Sequence, residues 1–423
     1  MDILVERAIL VGVHEQNAEH FEYEMEELKN LAEAIDVEVI GHVTQNLEKR
    51  HSSLYVGKGK VEEIKRFYEE MDANLVIFND ELSPSQIRNL EQELEVKVID
   101  RTMLILDIFA RRARTHEARM QVELAQLQYT LPRLVGLRAS LGRQGGGTGG
   151  GFQNKGAGET KLELDRRKIE DQIAKLRKDL EDVRDRRDTQ RKQRKKSGIP
   201  VVSIVGYTNA GKSTLMNGLL RKMEDESTKQ VFEKDMLFAT LDTSVRHLKL
   251  VDNKEFLLTD TVGFVSKLPH HLIKAFRSTL EEARGADLLL HVVNVSNEEY
   301  RHMMDVTNET LQEVGVEGIP TLNIYNKSDL AAVPYPVIAD DNAWIAAKDP
   351  ASLDPLVELI KKKIFGQYVT CKLLVPFDRG DVVSYLNDTA NVKTTEYEEE
   401  GTMMTVEMNS SERTKFEEFI ISH

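Results

Sequence analysis

The chain has 423 residues, 40% hydrophobic and 30% charged, which describes a globular protein of about three domains rather than a disordered or fibrous one. No apolar run reaches the ~20 residues of a membrane helix, Asp2 and Glu6 argue against a secretory signal, and a lone Cys371 excludes a disulfide framework or a cysteine-rich zinc site. The net charge of −14 argues against general nucleic-acid binding, yet residues 101–200 hold 24 Lys and Arg against 13 Asp and Glu, so one basic segment sits inside an acidic protein.

In chain order, Ala8–Val13 reads as a strand, His14–Ile35 as an acidic helix and Val37–Val43 as a second strand. Lys60–Met71 then reads as a helix, Leu75–Phe78 as a strand, Ser83–Leu94 as a helix and Val96–Ile99 as a strand. Ser83-Pro84 has the chemistry of a helix start. Strand and helix in alternation predict a parallel sheet covered by helices, here an N-terminal α/β domain over 1–115.

The next segment changes period. Met120, Leu124, Leu127, Leu131 and Leu134 recur in steps of four and three, and so do Ile169, Ile173, Leu176, Leu180 and Val183. These are two heptad seams. With a glycine-rich stretch over 136–158 between them, they predict a long antiparallel helical hairpin across 116–197 with a glycine tip. A third unit, 198–367, opens on the apolar strand Ile199–Val205 and continues as strand and helix in turn. The remainder, 368–423, reads as a small α+β domain: strands at Lys372–Pro376, Asn391–Tyr397 and Met403–Met408, helices near Asp381–Leu386 and Ser411–Ile421. The fold class expected is α/β and multidomain.

Chemistry concentrates in the third unit. Gly206-Tyr207-Thr208-Asn209-Ala210-Gly211-Lys212-Ser213 lies between a strand and a helix and matches a phosphate-binding loop. Its glycines let backbone amides face a phosphate, and the helix N-terminus adds a favourable dipole. Lys212 reaches the outer phosphates, and the Ser213 hydroxyl is a magnesium ligand. Asp260-Thr261-Val262-Gly263 ends another apolar strand. Asp260 is placed to hold magnesium through water, and the Gly263 amide to bind a γ-phosphate. Asn326-Lys327-Ser328-Asp329 ends a third strand. The Asp329 carboxylate can accept two hydrogen bonds from guanine, and adenine offers no such pair. Together the three motifs predict a GTP-hydrolysing switch. Within Phe238-Ala239-Thr240-Leu241-Asp242, Thr240 is the choice to complete the magnesium shell, with Thr243 the competitor. Ala346-Ala347-Lys348 is a candidate guanine-edge loop. Phe264 stands where many GTPases place a water-orienting glutamine, so no catalytic side chain is assigned beyond charge stabilisation by Lys212. Intrinsic hydrolysis is expected to be slow until a partner completes the site. Asn209 is a candidate for holding K+ against the phosphates, an ordinary loop hydrogen bond being the alternative. His270 and His271 lack a third ligand at metal spacing and read as surface or switch residues.

Other segments are family-specific. Gly156-Ala157-Gly158-Glu159-Thr160-Lys161-Leu162-Glu163-Leu164-Asp165-Arg166-Arg167, Arg112-Ala113-Arg114-Thr115-His116-Glu117-Ala118, Leu54–Lys60 and Gln121–Leu127 resemble the HflX family, in the Obg–HflX group of translation-factor GTPases, along essentially the whole chain. The resemblance implies a cytoplasmic GTPase that binds the large ribosomal subunit and splits or rescues stalled ribosomes. It also implies stimulation by ribosomes and a hairpin tip that approaches ribosomal RNA. Two positions depart from the family pattern: Thr243, where a proline is frequent, and Ala346, where a serine is. Arg138, Arg143, Lys155, Arg166 and Arg167 are the candidate phosphate contacts, a solvated basic face being the alternative for each. The expected free state is a monomer with no membrane partner. A ribosome-assembly GTPase on free large subunits is the competing function. A protein-only regulatory switch is disfavoured, having no need of a basic finger.

Overall fold

The computed structural model describes residues 6–16, 19–144, 155–223, 238, 244–250, 252, 254–269, 272–273, 282–366, 368–409 and 413–422. The chain forms two compact units, one of residues 1–190, 234–242 and 263–279, the other of 191–233, 243–262 and 280–423. Among the described residues no helix is long and apolar enough to cross a membrane.

The first unit opens with β1 (Arg7–Glu15), α1 (Phe21–Glu33), β2 (Glu38–Leu47), α2 (Lys58–Glu70), β3 (Leu75–Phe78), α3 (Pro84–Leu94), β4 (Lys97–Asp100) and α4 (Arg101–Arg112). The four strands are parallel in the order β2-β1-β3-β4. Alternation along the strands divides the side chains between two faces. Ile9, Val11, Val76 and Phe78 pack with Ile64 of α2 and Leu90 of α3, while Leu10, Leu75 and Ile77 are equally buried. α1 and α4 pack against each other. As expected, Ser83 caps α3, with a reciprocal capping box to Gln86 and Pro84 in the first turn.

Three expectations are corrected here. The first helix begins at Phe21, not His14, because β1 stays in register with β2 as far as Glu15 and Leu47. α4 was not anticipated as a helix: Asp100 ends β4 and at once caps α4, its carboxylate accepting from the Met103 amide at 2.9 Å. The stretch expected as a glycine loop over 136–158 is largely helix, since α5 runs His116–Gln144 and α6 runs Lys155–Ser197. A helical glycine costs about 1 kcal/mol against alanine, which neighbours such as Leu137, Ala139 and Leu162 can offset. Residues 145–154 lie outside the described ones.

Both heptad seams meet as expected: Met120 and Leu124 pack with Ile173 and Leu176, flanked by Leu127, Leu131, Ile169, Leu180 and Val183. α5 is also tied to the sheet. Its Tyr129 hydroxyl donates to the Asp100 carboxylate, which also accepts from the Leu82 amide at 2.9 Å and lies 3.5 Å from Arg133. Burial and that neighbouring carboxylate push the Tyr129 phenol far above its ordinary range.

The second unit contains β5 (Val201–Gly206), α7 (Lys212–Met223), β6 (Ser244–Lys249), β7 (Glu255–Asp260), β8 (Leu288–Asn294), α8 (Tyr300–Glu313), β9 (Thr321–Asn326), β10 (Val337–Ala339), β11 (Asn342–Trp344) and α9 (Leu353–Ile364). Its seven strands order as β10-β11-β9-β8-β5-β7-β6, parallel except at the two edges. Ile204, Leu258, Leu290 and Ile324 pack with Leu215 and Leu219 of α7 and Leu356 and Ile360 of α9. A second, antiparallel sheet of β12 (Tyr368–Val375), β13 (Asn391–Glu398), β14 (Gly401–Asn409) and β15 (Ile420–Ser422), ordered β13-β14-β12-β15, carries α10 (Gly380–Thr389). The helix expected over Ser411–Ile421 is instead a 3-10 turn, Thr414–Phe419, leading into β15. Phe416 and Phe419 fall three apart, both reach the core, and Ile420 and Ser422 pair with β12.

Candidate functional site

Strand β5 delivers the chain to Gly206, whose φ of 145° is open to glycine but strained for other residues. A Cβ there would lie 2.2 Å from the Val292 carbonyl oxygen of neighbouring β8. Gly211 is equally restricted, with φ 93° and a built Cβ only 2.2 Å from Asn326 Nδ2. Asn209 between them also takes a left-handed φ of 58°. The loop's shape therefore follows from residue types read in the sequence.

At the start of α7 the Lys212 side chain is buried. Its Nζ donates to the carbonyls of Gly206 at 3.0 Å and Tyr207 at 2.7 Å. Burial brings its pKa down to about 8, against the opposing pull of Asp260. The Thr208 hydroxyl is buried and has no hydrogen-bond partner among the described residues. A ligand oxygen would satisfy it. Ser213 Oγ lies 3.2 Å from Asp260 Oδ2, at the end of β7, and Asp260 is fully buried. This pair of hard oxygen donors beside a phosphate loop fits a magnesium ion. The Thr261 hydroxyl donates to the Ile204 carbonyl at 2.8 Å and ties the end of β7 to β5.

At the end of β9, Asn326 holds two loops together. Its Nδ2 donates to the Ala210 carbonyl at 2.9 Å, and its Oδ1 accepts from the Ala347 amide at 2.9 Å. Lys327 reaches Asn209 Oδ1 at 3.4 Å, placing its stem along the same edge. The Ser328 amide donates to the Ile345 carbonyl at 3.1 Å, and its hydroxyl donates to the Tyr325 carbonyl at 3.0 Å. Asp329 is exposed. Ala346 and Ala347 are buried, whereas Lys348 is exposed. Ser352, which the sequence reading passed over, supports this loop: its hydroxyl lies 3.3 Å from the Ala346 amide, which donates to it.

These motifs, spread over more than a hundred residues, thus converge within the second unit. Within the Asp260–Gly263 motif, Val262 is the last residue of this unit. Gly263 and Phe264 belong to the first unit, with Phe264 almost fully buried. So does Phe238, whose ring meets Phe109 of α4 edge to face at 4.7 Å. Ala239, Thr240, Leu241, Asp242 and Thr243 lie outside the described residues, as do His270 and His271. Of the expected RNA contacts, Arg166 and Arg167 are exposed on α6, and Arg166 pairs with Glu170 at 2.9 Å. Arg138, Arg143 and Lys155 fall within helices, their side chains outside the described set.

Three family profiles match the chain: "GTP-binding GTPase N-terminal" at residues 22–110, "GTP-binding GTPase Middle Region" at 112–194 and "50S ribosome-binding GTPase" at 201–327. A relative named "GTPase HflX" from Caldanaerobacter subterraneus subsp. tengcongensis is 45% identical over 99% of this chain and 94% of its own. Another of that name from Escherichia coli is 38% identical over 94% of this chain and 92% of its own. Among solved structures, a GTP-binding protein from Sulfolobus solfataricus in complex with GDP is 25% identical, covering 86% of this chain and 98% of its own, with a TM-score of 0.42.

Proposed function

Since the chain belongs to the HflX family of P-loop GTPases, which hydrolyse GTP, we propose that it couples this hydrolysis to the ribosome, binding the large subunit and dissociating or rescuing stalled ribosomes. The observation that carries the reading is the packed pair α5 and α6, a basic arm on an otherwise acidic chain with Arg166 and Arg167 exposed along it. Such an arm suits a highly charged RNA surface. The matching profile's description as a 50S ribosome-binding GTPase supports the same partner.

In this reading 1–115 is an N-terminal α/β domain, 116–197 the hairpin, 198–367 the G domain and 368–423 a closing domain. Gly206–Ser213 cradles the phosphates and Lys212 offsets their charge. Ser213 and Thr240 ligate magnesium, with Asp260 behind them, and magnesium would supply neutralisation of the phosphate oxygens. Gly263 reads the γ-phosphate, Asp329 selects guanine, and Ala346-Ala347-Lys348 borders the base. Asn209 is placed to help hold K+. Phe264 cannot orient water, so the ribosome completes the site and accelerates hydrolysis. The cytoplasm, where ribosomes are, is the working compartment.

The test is steady-state GTP hydrolysis by the purified protein, alone and with isolated large subunits, followed by light scattering of intact ribosomes. Stimulation with splitting is expected. Stimulation without splitting would favour an assembly role on free subunits, and no stimulation with no binding would sink the ribosomal reading.

A further inference from the structure

In a parallel sheet ordered β2-β1-β3-β4, the strand order reverses between β1 and β3, and the carboxyl ends of those strands border a crevice where such folds seat ligands. Here the crevice is lined with carboxylates: Glu15 ends β1, Asp80 lies just past β3, and Glu24 comes from α1. It holds an ammonium group from the chain's own switch region. Lys267 Nζ lies 2.9 Å from Asp80 Oδ1 and is ion-paired with Glu24.

Both carboxylates are themselves held. Asp80, almost fully buried, accepts from the Tyr55 hydroxyl and lies 3.2 Å from Arg50, which bridges onward to Glu15 at 3.2 Å. Glu24 accepts from Asn79 Nδ2 at 3.3 Å, and Asn79 Oδ1 accepts from Arg101 at 2.8 Å. Burial alone would raise the Asp80 pKa, but Lys267, Tyr55 and Arg50 outweigh it and hold the carboxyl below its usual range. Lys267 meets this seat with a left-handed φ of 55°. Removing its ammonium would leave a buried carboxylate short of a cation, which is costly. Phe238, in the other switch segment, is also held by this unit, through Phe109.

Only three residues lie between Gly263 and Lys267. A γ-phosphate that draws in the Gly263 amide must therefore compete with the crevice for the same short stretch of chain. We propose that Lys267 is a latch: its seating between Glu24 and Asp80 holds the segment after Gly263 away from its GTP-bound conformation and lets the N-terminal sheet set the preference between GTP and GDP. This rests on the reading of Gly263 as the γ-phosphate sensor.

The test measures the affinities of full-length protein for fluorescent GDP and a fluorescent non-hydrolysable GTP analogue. Variants are Lys267→Ala, Lys267→Arg, Glu24→Gln and the Lys267→Ala/Glu24→Gln pair. Opening the latch should raise analogue affinity relative to GDP by roughly 5- to 50-fold, the range of an ordinary coupling between sites. Lys267→Arg should stay near the parent, and Glu24→Gln should add nothing once Lys267 is gone. A ratio unchanged or lowered in Lys267→Ala, or fully additive effects in the pair, overturns the latch. GDP affinity reports separately on the phosphate loop: a parent chain that binds GDP and analogue alike, with a ratio that no variant moves, condemns the latch and the γ-phosphate reading but not the nucleotide site.

Discussion

Asn326 and Ala210 stand 116 positions apart in the chain and are joined by a 2.9 Å hydrogen bond from the asparagine amide to the alanine carbonyl. The same side chain accepts from the Ala347 amide, so one residue locks the phosphate loop, the strand β9 and the loop at 346–348 into a single object. Asn326→Ala should leave a buried carbonyl and a buried amide unpaired, a cost of about 1–3 kcal/mol for each. Thermal unfolding should report a lower Tm, and GDP and GTP affinity should fall together. Unaltered affinity for both nucleotides would mean that the loops hold their places without it.

Asp329 follows on the same loop, exposed where a base could meet it. Replacing its carboxylate by an amide exchanges two acceptor oxygens for one acceptor and one donor. Asp329→Asn should bind GTP on the order of 100-fold or more weakly and gain affinity for xanthine nucleotides, whose edge offers an acceptor in place of the amine. Competition titration with GDP and XDP separates these outcomes, and undiminished GDP binding would remove Asp329 from base recognition.

Burial lowers the Lys212 pKa to about 8. Bound phosphates favour its charged form and so raise that value again. The sign follows: below pH 8 the lysine is protonated with or without nucleotide, whereas above it the free protein has lost a proton that binding restores. Nucleotide binding at pH 8.5 should thus take up protons, and affinity should fall as pH rises from 8 to 9.5. Calorimetry in buffers of different ionisation enthalpy measures the uptake directly. No dependence on the buffer at pH 8.5 would show that Lys212 stays charged in the free protein.

How much of this was legible depended on whether the cause was local. Gly206 and Gly211 announce backbone shapes open only to glycine, and Ser83-Pro84 announces a helix start, so the phosphate loop and α3 stood in the sequence. The seams through Leu124 and Ile173 were equally plain, being periodic. α4 was hidden because its apolar run Leu104–Phe109 follows β4 with no break, Asp100 serving both elements at once. The extent of β1 was set by its partner β2, which no window on β1 contains. Lys267 and Asp80 are 187 positions apart, and nothing in either neighbourhood signals the other. The bond from the Thr261 hydroxyl to the Ile204 carbonyl, across 57 positions, is likewise signalled by neither neighbourhood.

The basic arm gives the test of the ribosomal reading that is most specific to residues. Arg166 and Arg167 are exposed in the first third of α6, and among the described residues Arg166 pairs with Glu170 on its own helix. An exposed pair of this kind contributes on the order of 0.5 kcal/mol to stability, so Arg166→Glu and Arg167→Glu should leave folding and GDP affinity unchanged. If the arginines meet phosphates, each loss should weaken binding to large subunits and lower the slope of log affinity against log salt by about one unit. The salt dependence distinguishes the cause: a solvated basic face would lose little affinity and keep its slope. Sedimentation with large subunits at several salt concentrations supplies both quantities. An unchanged slope in the double variant would remove this face of α6 from the RNA interface.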